Sequence, residues 1–232
     1  IISGGNGNLP QKIIRNNKKY NLVPLNKDEM NVSNIESVES NIRKEKPDYF
    51  IHSGALTRPM SLHNDYPSLS IKSNIIGTAN VVMVCQKYNV KLIYISTDCV
   101  YEGANGNYSE CDAVKPFNKY GWSKLGGECS VMLYPNSLIL RLGMLTSPFP
   151  HNSALVDMKK SLMDNDKISQ VILSLIDERG IFNVGGKSQS VYDFISKKHP
   201  TIKKGYLKDV VDVEMPKDCS MNTEKMKKKL NE

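Results

Sequence analysis

The chain carries a tyrosine and a lysine four residues apart, Tyr120 and Lys124, in a segment with helical periodicity. Residues i and i+4 share one face of a helix, so the two side chains can act at one place. A free phenol has a pKa of about 10 and exchanges protons poorly at neutral pH. We expect the neighbouring ammonium to favour the phenolate and to bring the pKa of Tyr120 toward the working range.

A segment with hydroxyl side chains precedes this pair. The run Ser96-Thr97-Asp98-Cys99 ends a predicted strand, and the Thr97 hydroxyl could bond the same carbonyl or alkoxide oxygen as Tyr120. A tyrosine and lysine at this spacing also occur by chance on exposed helices. Their combination with a hydroxyl strand and a glycine turn predicts hydride exchange between a C–OH or C=O group and nicotinamide.

A glycine-rich turn lies near the start of the chain. A short apolar run, 1–3, leads directly into Gly4-Gly5-Asn6-Gly7-Asn8-Leu9 and then into a predicted helix. Glycines let the backbone turn tightly and approach a pyrophosphate, which the N-terminus of the helix then binds. Pro10 stands where a third glycine is usual. We therefore expect either looser packing there or residues absent from the chain between Leu9 and Pro10.

The residues after the second predicted strand bear on the choice of cofactor. An acidic residue at this place binds the ribose hydroxyls of NAD, whereas a basic one suits the 2′-phosphate of NADP. Leu25 is followed by Asn26 and Lys27, with Asp28 one step later. Lys27 favours NADP, and NAD stays as the alternative.

Short apolar runs alternate with helix-like stretches through the first half of the chain, which predicts a Rossmann-type, doubly wound parallel α/β sheet. The predicted strands are 1–3, 21–24, 49–52, 91–96, 137–142 and 181–184. The predicted helices are 11–16, 34–45, 68–88, 120–133 and 168–176. Since the alternation fades after Arg141, we expect an NAD(P)-binding domain over 1–147. A smaller, irregular substrate lobe would cover 148–232 and interleave with the sheet.

The composition fits one folded α/β domain with a small appendage. The chain has 232 residues, of which 40% are hydrophobic and 24% charged, and this excludes two large domains and extensive disorder. The net charge of +7 includes a Lys-rich C-terminal stretch. That stretch lacks interleaved aromatic residues, so we expect a solvated helix and no nucleic-acid partner.

The five cysteines lie far apart and share no metal-ligand spacing with the four histidines. We expect reduced thiols, a cytosolic location and no metal site. No apolar run approaches the ~20 residues of a membrane span, so we expect no membrane partner. The chain begins inside a predicted strand, which indicates a trimmed N-terminus. We also expect omitted segments, for instance near 166–168, that would leave the lobe incomplete.

Two runs together resemble a known family. Ser96-Thr97-Asp98-Cys99-Val100-Tyr101-Glu102-Gly103, followed by Tyr120-Gly121-Trp122-Ser123-Lys124 and Gly127-Glu128, is similar to the extended short-chain dehydrogenase/reductases that modify nucleotide sugars. Within that family the chain most resembles the dTDP-4-dehydrorhamnose reductases, over roughly 1–145. The resemblance implies that Thr97, Tyr120 and Lys124 are catalytic. It also implies that Tyr120 donates a proton when NAD(P)H reduces a nucleotide-linked 4-keto-6-deoxy sugar.

The resemblance further implies the residues that contact ligands. For the cofactor these are Gly4, Gly7, Asn8, Leu9, Asn31, Val32, Ala55, Leu56, Thr57, Tyr120 and Lys124. For the sugar they are Thr97 and Asp98. Asn31 stands where the family often has an aspartate, so that contact loses a carboxylate. Asn74 matches an asparagine common in the superfamily, whose role is either catalytic or to bond backbone near the site.

Other activities use the same parts. An NAD-dependent epimerase would show no net oxidation, and the sequence leaves it open. A dehydratase usually has Asp-Glu after its threonine, whereas Thr97 precedes Asp98 and Cys99, which disfavours it. Some relatives of the reductase are regulatory subunits of methionine adenosyltransferase, and the intact Thr97, Tyr120 and Lys124 argue against lost catalysis. The oligomeric state is open, with a homodimer as the candidate assembly.

Overall fold

The computed structural model describes residues 1–145, 148–210 and 214–231. Within these ranges the strands are β1 (Ile2–Ser3), β2 (Pro24–Leu25), β3 (Tyr49–His52), β4 (Lys91–Thr97), β5 (Ser137–Leu142), β6 (Ser153–Leu155), β7 (Lys159–Lys160), β8 (Gly180–Val184), β9 (Gln189–Ser190) and β10 (Lys203–Gly205). Six of them form a parallel sheet in the order β2-β1-β3-β4-β5-β8. The direction of winding reverses between β1 and β3, where open α/β sheets bind ligands. The predicted doubly wound parallel sheet is confirmed.

Helices cover both faces of this sheet. The helices in the described ranges are α1 (Asn8–Asn16), α2 (Ile35–Glu45), α3 (Ser61–Asp65), α4 (Pro67–Ser70), α5 (Gly77–Lys87), α6 (Lys119–Val131), α7 (Asn165–Ser174), α8 (Val191–Ile195) and α9 (Glu224–Leu230). Alternate residues of β4 point to opposite sides, with Ile93 in the core beneath α1 and α7 and Leu92 in the core beneath α2 and α5. Burial on both faces explains the continuous apolar run of β4.

The segment predicted as one helix over 68–88 has three parts. A π-helical turn, Ile71–Ile76, lies between α4 and α5. Wide turns of this kind are rare and often occur at functional sites. This one carries Asn74, which is buried and faces the loop after β3. The apolar periodicity predicted the helix but carried no sign of the change in winding.

The same helical stretch corrects the expectation about membrane-length segments. Pro67–Lys87 is long and apolar enough to cross a membrane, judged by length and composition alone. Half of its most apolar window is buried inside the protein, as in a core helix.

The smaller lobe contains two two-stranded sheets, β6 with β10 and β7 with β9. Its own apolar cluster consists of Ala154, Met158, Leu162, Val191 and Ile195. The chain returns from this lobe to the main sheet at α7 and β8, whose buried residues join the core beneath α1. The lobe therefore interleaves with the sheet. The predicted boundary between 147 and 148 falls at residues 146–147, which lie outside the described residues.

Helices run unbroken through both places where the sequence suggested an omission. In α1 the Gln11 amide donates to the Gly7 carbonyl at 3.1 Å, on either side of Leu9 and Pro10. In α7 the Ile168 amide donates to the Asp164 carbonyl at 2.8 Å. Residues 9–10 and 167–168 therefore lie within regular helices.

Candidate active site

The glycine turn joins β1 to α1 at the carboxyl edge of the sheet. Gly4 has a φ of +69°, and a Cβ there would lie 2.9 Å from the Cα of Gly54. Both facts require glycine at position 4. Gly7 is the N-cap of α1, and Asn8 and Leu9 begin the helix. This arrangement places backbone amides and the positive end of the helix dipole where a pyrophosphate would bind.

Pro10 occupies the first turn of α1 in place of the usual third glycine. It is buried, and a Cβ on Gly7 would lie 3.3 Å from its Cδ atom. Proline is tolerated there because the first amides of a helix have no carbonyl partner within the helix. The proline ring therefore packs closely against Gly7, and the looser packing that the sequence suggested is not needed to accommodate it.

The predicted adenine contacts lie after β2. The Asn31 Oδ1 accepts a hydrogen bond from the Ser33 amide at 3.1 Å, which closes a local turn. Val32 is buried against α5, and its carbonyl accepts from Asn80 Nδ2 at 3.0 Å. Lys27, on which the NADP preference depends, is exposed in the turn that follows β2.

Asn74 holds the loop that follows β3. Its Oδ1 accepts from the Leu56 amide at 2.7 Å, and its Nδ2 donates to the Leu56 carbonyl at 2.9 Å. The same Nδ2 contacts the Ser123 hydroxyl on α6 at 2.8 Å. Asn74 thus ties the predicted cofactor segment Ala55–Leu56–Thr57 to the helix that carries Tyr120. Of the two roles considered for Asn74, the structure shows the bond to backbone near the site.

The end of β4 brings Thr97 and Asp98 to the same edge of the sheet. Thr97 Oγ1 accepts from the Cys99 amide at 3.2 Å, which caps a short 3₁₀ turn, and donates to Asp98 Oδ1 at 3.2 Å. The Asp98 side chain is buried, and its Oδ2 lies 2.9 Å from Lys160 Nζ. Asp98 therefore already has partners within the protein, and its predicted contact with the sugar stays a prediction.

α6 presents Tyr120 beside this strand end. Asn118 caps the helix through a hydrogen bond from the Gly121 amide at 2.8 Å. A Cβ on Gly121 would lie 2.3 Å from the Cys99 carbonyl oxygen, so only glycine lets α6 approach the loop this closely. The half-buried Tyr120 follows from that approach, and its phenol lies beside the Thr97 side chain.

The electrostatics of Tyr120 correct the expectation from the sequence. Burial raises the pKa of Tyr120, and the neighbouring Cys99 and Asp98 raise it further. The positive charge that opposes this rise is that of Lys160. Tyr120 is therefore a protonated phenol at neutral pH. The predicted lowering of its pKa by Lys124 is wrong, because the sequence does not show how deeply the phenol is buried.

Lys124 is itself deeply buried, with 4% of the residue exposed. Its ammonium lies over the ring of Tyr94, 4.1 Å from the centroid, which is the geometry of a cation–π contact. Burial lowers the pKa of Lys124 to about 7, and the charge of Glu128 opposes that fall. Lys124 can therefore gain and lose a proton near neutral pH.

Two residues that lie beside Tyr120 were not predicted from the sequence. The His63 ring lies 5.2 Å from the Tyr120 ring, centroid to centroid, and its Nδ1 is 2.7 Å from the Ser70 hydroxyl. Lys160 comes from β7 in the smaller lobe. Neither residue belongs to a motif, and no signal in the sequence relates them to positions 97–120.

A family model described as the RmlD substrate binding domain matches residues 1–172. The chain belongs to the RmlD substrate binding domain family. As a member of that family it is 27% identical over 207 residues to dTDP-4-dehydrorhamnose reductase of Aggregatibacter actinomycetemcomitans. That alignment covers 85% of this chain and 67% of the reductase. The resemblance stated from the sequence is thus confirmed.

A second relative and a solved structure extend this comparison. The RmlD family chain is 32% identical over 103 residues to methionine adenosyltransferase 2 subunit beta of Xenopus laevis. The match covers 44% of this chain and 30% of that subunit. The crystal structure of dTDP-4-dehydrorhamnose reductase from Bacillus anthracis str. Ames in complex with NADP has a TM-score of 0.88 and 24% identity. The alignment covers 99% of this chain and 91% of the Bacillus anthracis chain, which establishes the shared fold.

Proposed function

We propose that this chain reduces the 4-keto group of a nucleotide-linked 4-keto-6-deoxy sugar with NADPH, as the name of the 27% identical reductase suggests. The observation that carries the proposal is that Thr97, at the end of β4, and Tyr120 and Lys124, both on α6, lie at the carboxyl edge of a parallel sheet. The glycine turn and α1 lie at the same edge, where a dinucleotide would bring its nicotinamide.

The residues present fit a dinucleotide. Gly4 has a left-handed φ and packs too closely on Gly54 for a side chain, and this tight turn leads directly to the N-terminus of α1, whose first amides can bind a pyrophosphate. We assign the pyrophosphate to Gly7, Asn8 and Leu9 and the adenine to Asn31 and Val32. The nicotinamide side of the cofactor would meet Ala55, Leu56 and Thr57.

The choice of NADP rests on two observations. Lys27 is exposed after β2, where a 2′-phosphate would bind. The similar structure from Bacillus anthracis was solved with NADP. The bound cofactor supplies the hydride. NAD stays as the alternative cofactor.

Tyr120 supplies the proton in this scheme. Because its pKa is raised, it is protonated at neutral pH and can donate to the oxygen that becomes negative as the keto carbon is reduced. The Thr97 hydroxyl lies beside the same phenol and can orient the keto oxygen. Lys124, with a pKa of about 7, can return a proton to Tyr120 or stabilise its phenolate. Asp98 is assigned to the sugar side of the site.

The test is the loss of NADPH absorbance when dTDP-4-dehydrorhamnose is added to the purified chain. We expect oxidation that depends on the keto sugar and is faster with NADPH than with NADH. Tyr120→Phe should lower kcat by about 10²–10⁴-fold, since it removes the proton donor. Tyr66→Phe, at an exposed tyrosine, is the matched control and should leave kcat unchanged. Full activity in Tyr120→Phe would refute the assigned role.

A regulatory role is the second candidate, because several relatives of 31–32% identity are named methionine adenosyltransferase 2 subunit beta. A regulatory subunit would show no turnover with any nucleotide sugar and would bind an adenosyltransferase catalytic subunit stably. An epimerase would instead copurify with NAD and invert a sugar without net oxidation.

We also infer a cytosolic location, which the five free cysteines support. The candidate homodimer is testable by light scattering of the purified chain, where twice the mass of 26.0 kDa would support it and the monomer mass would exclude it.

A further inference from the structure

Lys160 forms a buried ion pair at the end of β4. Its Nζ lies 2.9 Å from Asp98 Oδ2, and the two side chains are 7% and 1% exposed. Burying two charges costs solvation free energy that their attraction offsets only with good geometry. Such a pair beside a proposed active site therefore calls for a role beyond stability.

The Asp98 carboxylate connects Lys160 to the site. While Oδ2 faces Lys160, Oδ1 accepts the Thr97 hydroxyl at 3.2 Å and lies 3.5 Å from the Cys99 Sγ. The carboxylate thus sets the direction of the Thr97 hydroxyl. The Cys99 carbonyl in turn abuts Gly121, the residue after Tyr120.

The backbone around Lys160 is held from several sides. Lys160 pairs with Gln189 in the antiparallel β7–β9 sheet. The preceding Lys159 amide donates to the Lys217 carbonyl at 2.8 Å, and the following Ser161 carbonyl accepts from Gly186 at 3.1 Å. Lys160 is therefore a fixed group of the smaller lobe that reaches across to β4.

The two lysines near Tyr120 differ in charge state. Burial alone would lower the pKa of Lys160, but Asp98, Cys99 and Cys219 more than reverse that effect, and the net pKa is raised. Lys160 stays charged at neutral pH, whereas the pKa of Lys124 falls to about 7. Lys160 is thus the permanent cation near the phenol.

We propose that Lys160 is a positioning residue of the Tyr120 site, which holds Asp98 and Thr97 in place and stabilises the phenolate that forms when Tyr120 donates its proton. This inference rests on the proposed reductase function. In that reaction the Tyr120 O–H bond breaks, an O–H bond forms on the keto oxygen, and the hydride forms the new C–H bond. The electron pair of the broken bond stays on Tyr120 as a phenolate.

The charged or titratable groups near that phenol are Asp98, Cys99, Lys160, Lys124 on its own helix and His63 on α3. Lys160 opposes the effects of Asp98 and Cys99 on the phenol. Its removal should therefore raise the pKa of Tyr120 further.

The test compares Lys160→Met with Lys159→Met, an exposed neighbour in the same strand. We expect Lys160→Met to lower kcat about 10- to 100-fold with a change in KM below about threefold. Lys160→Arg keeps the charge and should recover part of kcat. Lys159→Met should behave as wild type.

A double variant separates positioning from folding. Lys160→Met alone leaves Asp98 unpaired and should lower Tm, whereas Lys160→Met with Asp98→Asn removes both charges and should restore Tm. The positioning role predicts that kcat stays low in this double variant, because no ion pair holds position 98 and the Thr97 hydroxyl in place, although the opposing effects of Asp98 and Lys160 on the pKa of Tyr120 are both removed. Recovery of kcat together with Tm would show a merely structural pair and overturn the proposal.

An optical titration keeps this test independent of turnover. With a fluorinated tyrosine incorporated at position 120, which brings the phenol pKa into the range where the protein stays folded, the phenolate absorbance should appear at higher pH in Lys160→Met than in the protein that keeps Lys160. An unchanged titration would overturn the role of Lys160 even if wild type proved inactive. An inactive wild type with a displaced titration would instead refute only the reductase function.

Discussion

Replacing Lys124 with Met should stabilise the cofactor-free protein at neutral pH while it abolishes turnover. The buried ammonium has lost its hydration, and its pKa falls from 10.5 to about 7. Between these values the unfolded chain binds a proton that the folded protein does not, so the stability of wild type rises with pH across this window. Met resembles an uncharged lysine in length and carries no charge to desolvate.

The size of the effect follows from the pKa change. The buried ammonium destabilises the folded wild type by at most about 4 kcal/mol at pH 7 and by less than about 0.5 kcal/mol near pH 10.5. For a chain of this size 1 kcal/mol shifts Tm by about 2–4 °C. We therefore expect Lys124→Met to raise Tm at pH 7 by about 5–15 °C, and the gain should shrink as the pH rises.

Differential scanning calorimetry of wild type and Lys124→Met at pH 7 and pH 10 measures this directly. Lys72→Met serves as the control, because Lys72 is exposed on the neighbouring π turn and its loss should change Tm little at either pH. A lower Tm in Lys124→Met at pH 7, or a difference that does not shrink toward pH 10, would refute the assignment of a costly buried ammonium.

Two further predictions concern buried groups near the site. Burial, with a smaller effect of Lys124, lowers the pKa of His52 to about 3, so stability should fall as the pH drops below 6.5. The free energy of unfolding, measured with urea, should fall between pH 7 and pH 5 by about 2 kcal/mol less in His52→Gln than in wild type. An equal fall in the two proteins would contradict this. Glu128→Gln should cost about 3–5 kcal/mol in the same assay, because it leaves Arg141 charged and unpaired at a site only 3% exposed. The surface pair variant Glu39→Gln should leave the free energy of unfolding almost unchanged.

Strong local patterns made much of the fold predictable. β3 and β5 begin and end where their apolar runs do, at Tyr49–His52 and Ser137–Leu142, because both strands are buried in the sheet. Helix α6 and the shared face of Tyr120 and Lys124 followed from spacing alone. Patterns of this kind depend only on neighbours along the chain.

Features that depend on distant contacts were not predictable. The ion pair of Lys160 with Asp98 joins two lobes, and neither residue carries a sequence signal for the other. The raised pKa of Tyr120 and the lowered pKa of Lys124 both come first from burial, which spacing along a helix does not show. The π turn at Asn74 belongs to the same class, since its amide bonds reach the loop after β3.

Counting the hydrides transferred distinguishes a reductase from the other candidate functions. Purified chain is mixed with a limiting amount of dTDP-4-dehydrorhamnose and excess NADPH, and the NADPH consumed is compared with the sugar product determined by NMR. A reductase should oxidise one NADPH for each keto group that it reduces. A keto sugar that is left unchanged, or is inverted without loss of NADPH, would contradict it.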